Sequence, residues 1–291
     1  MAEPGKIILA KEIHAGGKLY TLSVEEEDLS RLYPGMIRYT LRIGSGGNTL
    51  ALFRTNTLEY SPTVPLEAGT VVRQRAAEWE RTLAADPEGF LASFGKPGAP
   101  GPRAGGVDVL IIQGSPRPDG NCSILAGWAA EAAEERGKAA RVVYLDDLSL
   151  HSCIGCYRCY NTGTCTFEDD MTGLIGALRS ASLLVICTPV YTNTVPGSLK
   201  IFIDRCQAYH AERNLFSSTG EGKGILLSVA GRTGAENFAC ITKVVGSFMR
   251  NLGIRPAGEV LLDGMDRVKD VRNLPGAREK VVLLVRQALG E

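Results

Sequence analysis

The chain has 291 residues, of which 44% are hydrophobic and 22% charged, and its 32 basic residues balance its 32 acidic ones. This length suggests about two domains with an ordinary globular core. Zero net charge provides no global field for nucleic acid or an anionic membrane. Because the sequence also has neither a signal-peptide core nor an apolar run of about 18 residues, we predict a cytoplasmic protein with no nucleic-acid or membrane partner.

The first part of the chain predicts a small α+β domain over residues 1–95. Its four strands form two hairpins around glycine-rich turns and span 7–13, 18–24, 36–43 and 49–54. A helix follows over 70–94, and Pro87 must kink or break it. The acidic run 25–28 is interpreted as a solvated face. Because the domain contains no cysteine, we expect it to serve assembly or partner docking and to contribute no catalytic group.

A linker over residues 96–106 separates this domain from the rest, because it holds three prolines and four glycines among eleven residues. Beyond it, strands and helices alternate over 107–291. The predicted strands are 107–113, 141–145, 183–188, 225–229 and 259–262. The predicted helices are 121–136, 170–180, 197–209, 235–252 and 276–289. Five strands between helices, with apolar runs buried on both faces, predict a doubly wound five-stranded parallel sheet.

Four of the eight cysteines fall in one short loop, residues 153–165, with the spacing C-x2-C-x2-C-x5-C: Cys153, Cys156, Cys159 and Cys165. The compact spacing resembles the run that holds an iron–sulfur cluster in bacterial ferredoxins, whereas structural zinc usually takes two separated pairs. We therefore predict an iron–sulfur cluster, of the 4Fe-4S type. Zinc and metal-free redox or structural thiols are the alternatives. Three further cysteines, Cys187, Cys206 and Cys240, are interpreted as inert packing.

A loop rich in small and hydroxyl residues follows the first strand of the second domain and opens a helix. Ser115, Asn121 and Ser123 can donate hydrogen bonds, and Arg117 supplies a positive charge. A helix amino terminus also offers free N–H groups to an anion. The loop is neither a Walker loop nor a G-x-G-x-x-G fingerprint. It therefore predicts a phosphate site of another kind, at the carboxyl edge of the sheet.

The loop also carries a family resemblance. Gly114-Ser115-Pro116-Arg117, followed by Gly120-Asn121, resembles the flavin-phosphate loop of NADPH-dependent FMN reductases, a group of the flavodoxin-like fold. Asp169-Asp170-Met171, Thr188-Pro189-Val190-Tyr191 and residues 197–205 match that group in the same order. With the four cysteines added, residues 107–290 resemble the iron–sulfur flavoproteins. One departure is Cys122, where a threonine or serine is common.

The resemblance implies a flavodoxin-like domain that binds FMN. The cofactor-binding residues that we predict from it are Ser115, Arg117, Gly120, Asn121, Cys122, Ser123, Pro189, Val190, Tyr191, Asn193, Gly231 and Arg232. Tyr191 can lie against a planar ring. Gly231 permits close approach of the backbone to the isoalloxazine, and Arg232 could stabilise negative charge on a reduced flavin.

These observations predict an FMN- and iron–sulfur-dependent oxidoreductase. The resemblance implies a ferredoxin-type one-electron donor and a small-molecule acceptor. One alternative is a NAD(P)H-dependent FMN or quinone reductase without a cluster, and another is a zinc-holding flavodoxin-like binding module. The resemblance also implies that a neighbouring subunit covers the cluster, and the apolar side chains of Ile154, Tyr157 and Tyr160 suit such an interface, so we predict a homodimer or homotetramer. A fragment that begins near Gly105 is expected to keep both cofactors.

Overall fold

The computed structural model describes residues 5–60, 63, 66–94, 106–216 and 222–290. These residues group into two compact units. The first contains the described residues up to Phe94 together with Ile154–Thr166, and the second contains the others. The predicted linker, apart from Gly106, lies outside the described residues. The cysteine loop, which the sequence analysis assigns to the second domain, thus contributes most of its residues to the first unit.

The first unit contains an antiparallel sheet of four strands in sequential order. These strands are β1 (Lys6–Ala15), β2 (Lys18–Asp28), β3 (Ile37–Ser45) and β4 (Asn48–Asn56). The turns that join β1 to β2 and β3 to β4 each have two central glycines with positive φ, at positions 16 and 17 and at 46 and 47. A two-residue turn of this kind matches the twist of the paired strands.

Two helices, α1 (Ala68–Ala85) and α2 (Pro87–Ala92), follow the sheet. Pro87 breaks the predicted helix 70–94 because it starts a new helix, whose first turn is capped by the Asp86 side chain through Gly89 N at 2.9 Å. The apolar face of the sheet packs against α1. The core of this unit includes Leu22, Val24, Leu41, Ile43, Val72, Trp79 and Leu83.

The other face of the same sheet is polar and partly buried. Glu27 accepts two hydrogen bonds from Arg38, both of 2.9 Å, and Glu25 pairs with Arg42. The side chains of the two glutamates are only 17–18% exposed. Burial alone would raise the pKa of Glu27, but the hydrogen bonds and charge of Arg38 outweigh it and lower the pKa. The interpretation of residues 25–28 as a solvated face is therefore wrong for these two glutamates, because the rest of their unit covers them.

The second unit is built on the predicted five-stranded parallel sheet. Its strands are β5 (Val109–Gln113), β6 (Ala140–Tyr144), β7 (Leu183–Pro189), β8 (Gly222–Val229) and β9 (Ile254–Leu262). They are arranged in the order β6-β5-β7-β8-β9, and all neighbouring pairs are parallel. Every residue of β5 and β7 is buried, as expected of central strands covered on both faces.

Helices cover this sheet. In chain order they are α3 (Asn121–Glu134), α5 (Met171–Ser180), α6 (Gly197–Arg205), α7 (Gln207–Leu215), α8 (Ala239–Asn251), α9 (Met265–Val268) and α10 (Ala277–Leu289), while the short α4 (Cys159–Thr162) lies in the first unit. The core beneath α3 and α10 takes Val109 and Ile111 from β5. Leu110 and Ile112 are equally buried and point to the opposite face. No helix in the described ranges is long and apolar enough to cross a membrane.

Candidate functional site

A cavity of about 770 Å³ lies at the carboxyl ends of the second unit's strands. Its size is within the range of small-molecule sites. Eleven of the twelve predicted cofactor-binding residues line it: Ser115, Arg117, Gly120, Asn121, Cys122, Pro189, Val190, Tyr191, Asn193, Gly231 and Arg232. The exception is Ser123. Three loops that are far apart in the sequence therefore meet around one space.

Strand order explains why they meet. The chain runs from β5 outward to β6 and then returns to the other side of β5 to form β7. In an open α/β sheet, a crevice opens between the loops that follow two such strands, and ligands bind there. Residues Ser115–Cys122 follow β5. Pro189 is the last residue of β7, and the chain up to Asn193 follows that strand. The cavity thus lies at the topological switch point.

Gln113 shapes the loop that follows β5. This buried side chain accepts a hydrogen bond from Ser115 N at 2.5 Å and donates one to Ser123 Oγ at 2.9 Å. The Ser123 hydroxyl is therefore engaged within the loop and does not line the cavity. Sequence reasoning missed Gln113, although a polar residue that ends an otherwise apolar strand was the available signal.

Helix α3 begins beside the cavity without a side-chain cap. Uncapped first-turn amides and the helix dipole favour an anion at this point. The Asn121 side chain is already engaged, since it donates to Lys269 O and accepts from Val271 N, both at 3.0 Å. It therefore ties the start of α3 to the segment after β9, and the backbone and Arg117 are further donors for a phosphate.

Cys122 is 2% exposed, and burial raises the pKa of its thiol to about 12. The thiol is therefore neutral at physiological pH. What Cys122 offers an anion in the cavity is its backbone.

The segment after β7 forms a tight turn. Tyr191 and Thr194 exchange two backbone hydrogen bonds of 2.9 Å, and the intervening Thr192 and Asn193 have φ of 45° and 61°. This geometry presents the Tyr191 side chain, which is 38% exposed, at the cavity. On the far side lies Gly231, where an added Cβ would come within 2.6 Å of the Asp266 carboxylate. A larger residue there would require the Asp266 side chain to move.

A fourth wall was not predicted. It follows β9 and consists of Met265, Asp266, Lys269, Asp270 and Arg272. Lys269 has a φ of 65°, which is unfavourable for a lysine, and the contact between its carbonyl group and Asn121 helps to hold it there. The signal for this wall was its position after the last strand, because parallel strands bring all their carboxyl ends to the same edge.

The cysteines of residues 153–165 are all free thiols. Cys153 is exposed, Cys156 and Cys165 are partly buried, and Cys159 is buried. Four thiols suit an iron–sulfur cluster chemically. No group of three or more Cys, His, Asp or Glu side chains in the described residues is positioned to hold a metal ion, so the four thiols are not gathered in this structure.

The remaining cysteines divide by burial. Cys187 and Cys206 are buried, and burial raises the pKa of both thiols. Cys240 is exposed, so its interpretation as a buried packing residue is wrong. It lies near the start of α8, on the solvent side of an amphipathic helix.

A buried ion pair stands at the start of α5. Asp169 accepts two 2.7 Å hydrogen bonds from Arg205, whose side chain is fully buried, and a third of 2.9 Å from His151 N. The hydrogen bond from Arg205 is the main cause of a strongly lowered pKa of Asp169. Arg205 also donates to His151 O at 2.7 Å. The pair therefore fixes the chain just before the cysteines.

The fold and the cavity define a flavodoxin-like α/β domain with an anion-accepting edge. Residues 107–263, more than half of the chain, match the family model described as NADPH-dependent FMN reductase. The chain therefore belongs to the NADPH-dependent FMN reductase family. This membership confirms the predicted family.

Curated relatives include iron–sulfur flavoproteins. One from Methanocaldococcus jannaschii is 32% identical over 130 residues, which are 45% of this chain and 66% of the relative. One from Archaeoglobus fulgidus is 32% identical over 150 residues, 51% of this chain and 74% of the relative. This chain spans about half the length of several other relatives that it matches.

A solved structure supports the fold alone. The azoreductase from Bacillus anthracis str. Sterne superposes with a TM-score of 0.50 at 16% identity, covering 62% of this chain and 99% of that one. The flavodoxin-like prediction is confirmed at the level of architecture.

We predict that Arg117→Ala weakens FMN binding by about 1–3 kcal/mol, because it removes a charge-assisted contact to phosphate. Riboflavin, which lacks the phosphate, should bind the variant and the parent alike.

Asn121→Ala should weaken FMN binding and also lower the free energy of unfolding, since Lys269 O and Val271 N, on the segment after β9, lose their hydrogen-bond partner. Fluorescence titration and urea unfolding measure these effects. Arg255→Ala, an exposed arginine outside the cavity, is the control, and equal FMN affinity in all three variants would contradict the site.

We predict that Asp169→Asn lowers the free energy of unfolding by about 3 kcal/mol at pH 7, because it leaves the buried Arg205 without its counter-charge. Asp204→Asn, which breaks an exposed pair with Lys200 on the helix that carries Arg205, should cost less than about 0.5 kcal/mol.

The pH dependence has a definite sign. Folding lowers the pKa of Asp169 below its unfolded value of about 3.9. The stabilisation is therefore fully present above about pH 4 and is lost as the pH falls toward the lower folded pKa. The difference between parent and Asp169→Asn in urea unfolding should shrink at acidic pH, and a difference that grows there would contradict the assignment.

Proposed function

We propose that this protein is an FMN-dependent oxidoreductase that holds FMN in the cavity at the switch point. The observation that carries the proposal is the convergence of loops from β5, β7, β8 and β9 on one space. Four cationic side chains line it, those of Arg117, Arg232, Lys269 and Arg272, together with three carboxylates, those of Asp119, Asp266 and Asp270, of which Asp270 pairs with Arg272. The slight excess of positive charge and the uncapped start of α3 suit an anionic, partly planar cofactor.

The phosphate end of the site is the start of α3. Uncapped amides of this helix and the exposed Arg117 favour a dianion there. Asn121 and Gln113 hold the loop in shape through bonds to Lys269 O, Val271 N and Ser115 N. A loop fixed before binding loses less conformational entropy when the ligand enters.

The ring end is the opposite wall. Pro189–Tyr191 offers an apolar edge with an aromatic side chain, and Gly231 lets the backbone approach closely. Bound FMN would supply one- and two-electron exchange. The chain's own contribution is to orient the ring, to exclude water with Tyr191, and to place the positive charge of Arg232 near it.

We further propose that Cys153, Cys156, Cys159 and Cys165 take up an iron–sulfur cluster, as the names of the relatives suggest. A ferredoxin-type donor and a small-molecule acceptor follow from that proposal. Because the thiols are not gathered in the structure, the proposal rests on donor chemistry and kinship. The cytoplasmic location and the absence of nucleic-acid and membrane partners remain predictions.

A second candidate is a NAD(P)H-dependent FMN or quinone reductase without a cluster. Two observations favour it. The family model is described as NADPH-dependent, and the four thiols of residues 153–165 are not gathered around one point. Oxidation of NADPH by iron-free protein would support this candidate.

The test is a spectrum of anaerobically purified protein together with iron and sulfide analysis. We expect flavin bands with broad additional absorbance and stoichiometric iron. Cys156→Ser should lose the iron and keep FMN, because a serine hydroxyl is a far poorer iron ligand than a thiolate. Cys240→Ser, an exposed cysteine outside the loop, should keep both. Full iron in Cys156→Ser would contradict the four-ligand set, and absence of flavin would contradict the FMN proposal.

The homo-oligomer remains a proposal, and fewer of the apolar residues around the cysteines are available for an interface than the sequence suggested. Ile154 is 65% exposed, but Tyr160 is fully buried within its own unit. We expect light scattering at micromolar concentration to give a dimer or tetramer, and Ile154→Asp to dissociate it by placing a charge in the interface. A monomeric parent protein would contradict the proposal.

A further inference from the structure

Most of the cysteine loop lies on the polar face of the first unit's sheet. Arg38 Nη1 donates to Tyr160 O at 2.9 Å, and Arg54 Nη1 donates to Asn161 O at 3.1 Å. The Asn161 side chain accepts from Asn56 Nδ2 at 3.0 Å and donates to Glu59 Oε1 at 2.7 Å. These bonds join β3, β4 and the turn after β4 to residues around α4.

The groups that make these bonds are buried. Asn56 is fully buried, Asn161 is 3% exposed and Arg38 is 4% exposed. A buried polar group that loses its partner costs more than an exposed one, because water cannot replace the bond. Such a network selects one orientation of the loop over alternatives with similar packing.

Ring contacts and backbone strain indicate the same constraint. Tyr33, between β2 and β3, meets the rings of Tyr157 and Tyr160 edge-on, with centroids 5.2 and 5.3 Å apart. Tyr157 has a φ of 53°, an unfavourable conformation for a tyrosine. A residue keeps such a conformation only where surrounding contacts outweigh the strain. Tyr157 follows Cys156 directly and lies two residues before Cys159.

We infer that the sheet β1–β4 is a platform that fixes the backbone of residues 157–163 and thereby orients the thiols of Cys156 and Cys159. Arg38, Arg54, Asn56 and Tyr33 are positioning residues in this role. The role does not depend on which metal, if any, the thiols take. It also differs from the expectation that the first domain serves assembly or partner docking and that a fragment beginning near Gly105 keeps both cofactors.

The test compares Arg54→Met and Tyr33→Leu with Arg42→Met in the full-length chain. Arg42 lies on the neighbouring strand β3 and pairs with Glu25. Iron is first removed with a chelator so that bound metal cannot mask the thiols. Hydrogen exchange reports the amides of residues 157–163. Alkylation of the buried Cys159 is measured against the exposed Cys240 of the second unit.

We expect amide exchange in residues 157–163 and alkylation of Cys159 to be about tenfold faster in Arg54→Met and Tyr33→Leu, the factor that corresponds to one lost charge-assisted bond or aromatic pair. Arg42→Met should leave both rates unchanged, and Arg54→Lys should restore them in part because lysine can still donate. Unchanged rates in both loop variants would overturn the inference. Equal acceleration of amide exchange across β1–β4 would also overturn it, because these side chains would then only contribute to the general stability of the unit. If Arg54→Met does not fold, Tyr33→Leu decides between these outcomes.

Discussion

The arrangement of the second unit depends on one constraint, the placement of β5 between β6 and β7 in a fully parallel sheet. Parallel strands direct their carboxyl ends to one edge. The chain adds β6 on one side of β5 and β7 on the other, and this reversal in strand order opens a crevice at that edge. Apolar runs in β5 and β7, buried on both faces, make this a close-packed part of the unit. Polar loops that could not survive inside a core are thereby held at a rigid rim, where a ligand can reach them.

Two amide side chains keep that rim in shape. Gln113 is a buried amide whose bonds to Ser115 and Ser123 set the path of the loop. Asn121 links the start of α3 to a segment about 150 residues away in the sequence. Because buried amides are costly to leave without partners, each bond favours one loop geometry. The uncapped start of α3 and the cations that line the cavity favour an anion there.

Buried polar groups also hold a loop in place in the first unit. Its sheet has one apolar face for α1 and one face of paired charges, where Glu27 and Arg38 neutralise each other. A buried charged face of this kind contributes little net stability compared with apolar packing, but it favours contact with polar groups that can pair with it. What it contacts is the backbone of the cysteine loop. The four strands of this sheet contain no cysteine, yet they contact the backbone close to Cys156 and Cys159.

The sequence by itself determined the strand and helix pattern, the parallel sheet, the family, and three of the four loops around the cavity, because these follow from short-range periodicity and local motifs. The break at Pro87 was predicted from the sequence, but Cys206 was placed inside a single predicted helix, although the chain ends one helix and begins another there. The tertiary structure alone decided that Ser123 faces Gln113, that Lys269 lines the cavity, and that Tyr160 lies under the first sheet. Each of these depends on a contact between residues distant in sequence or on a side-chain direction, and neither leaves a periodic signal.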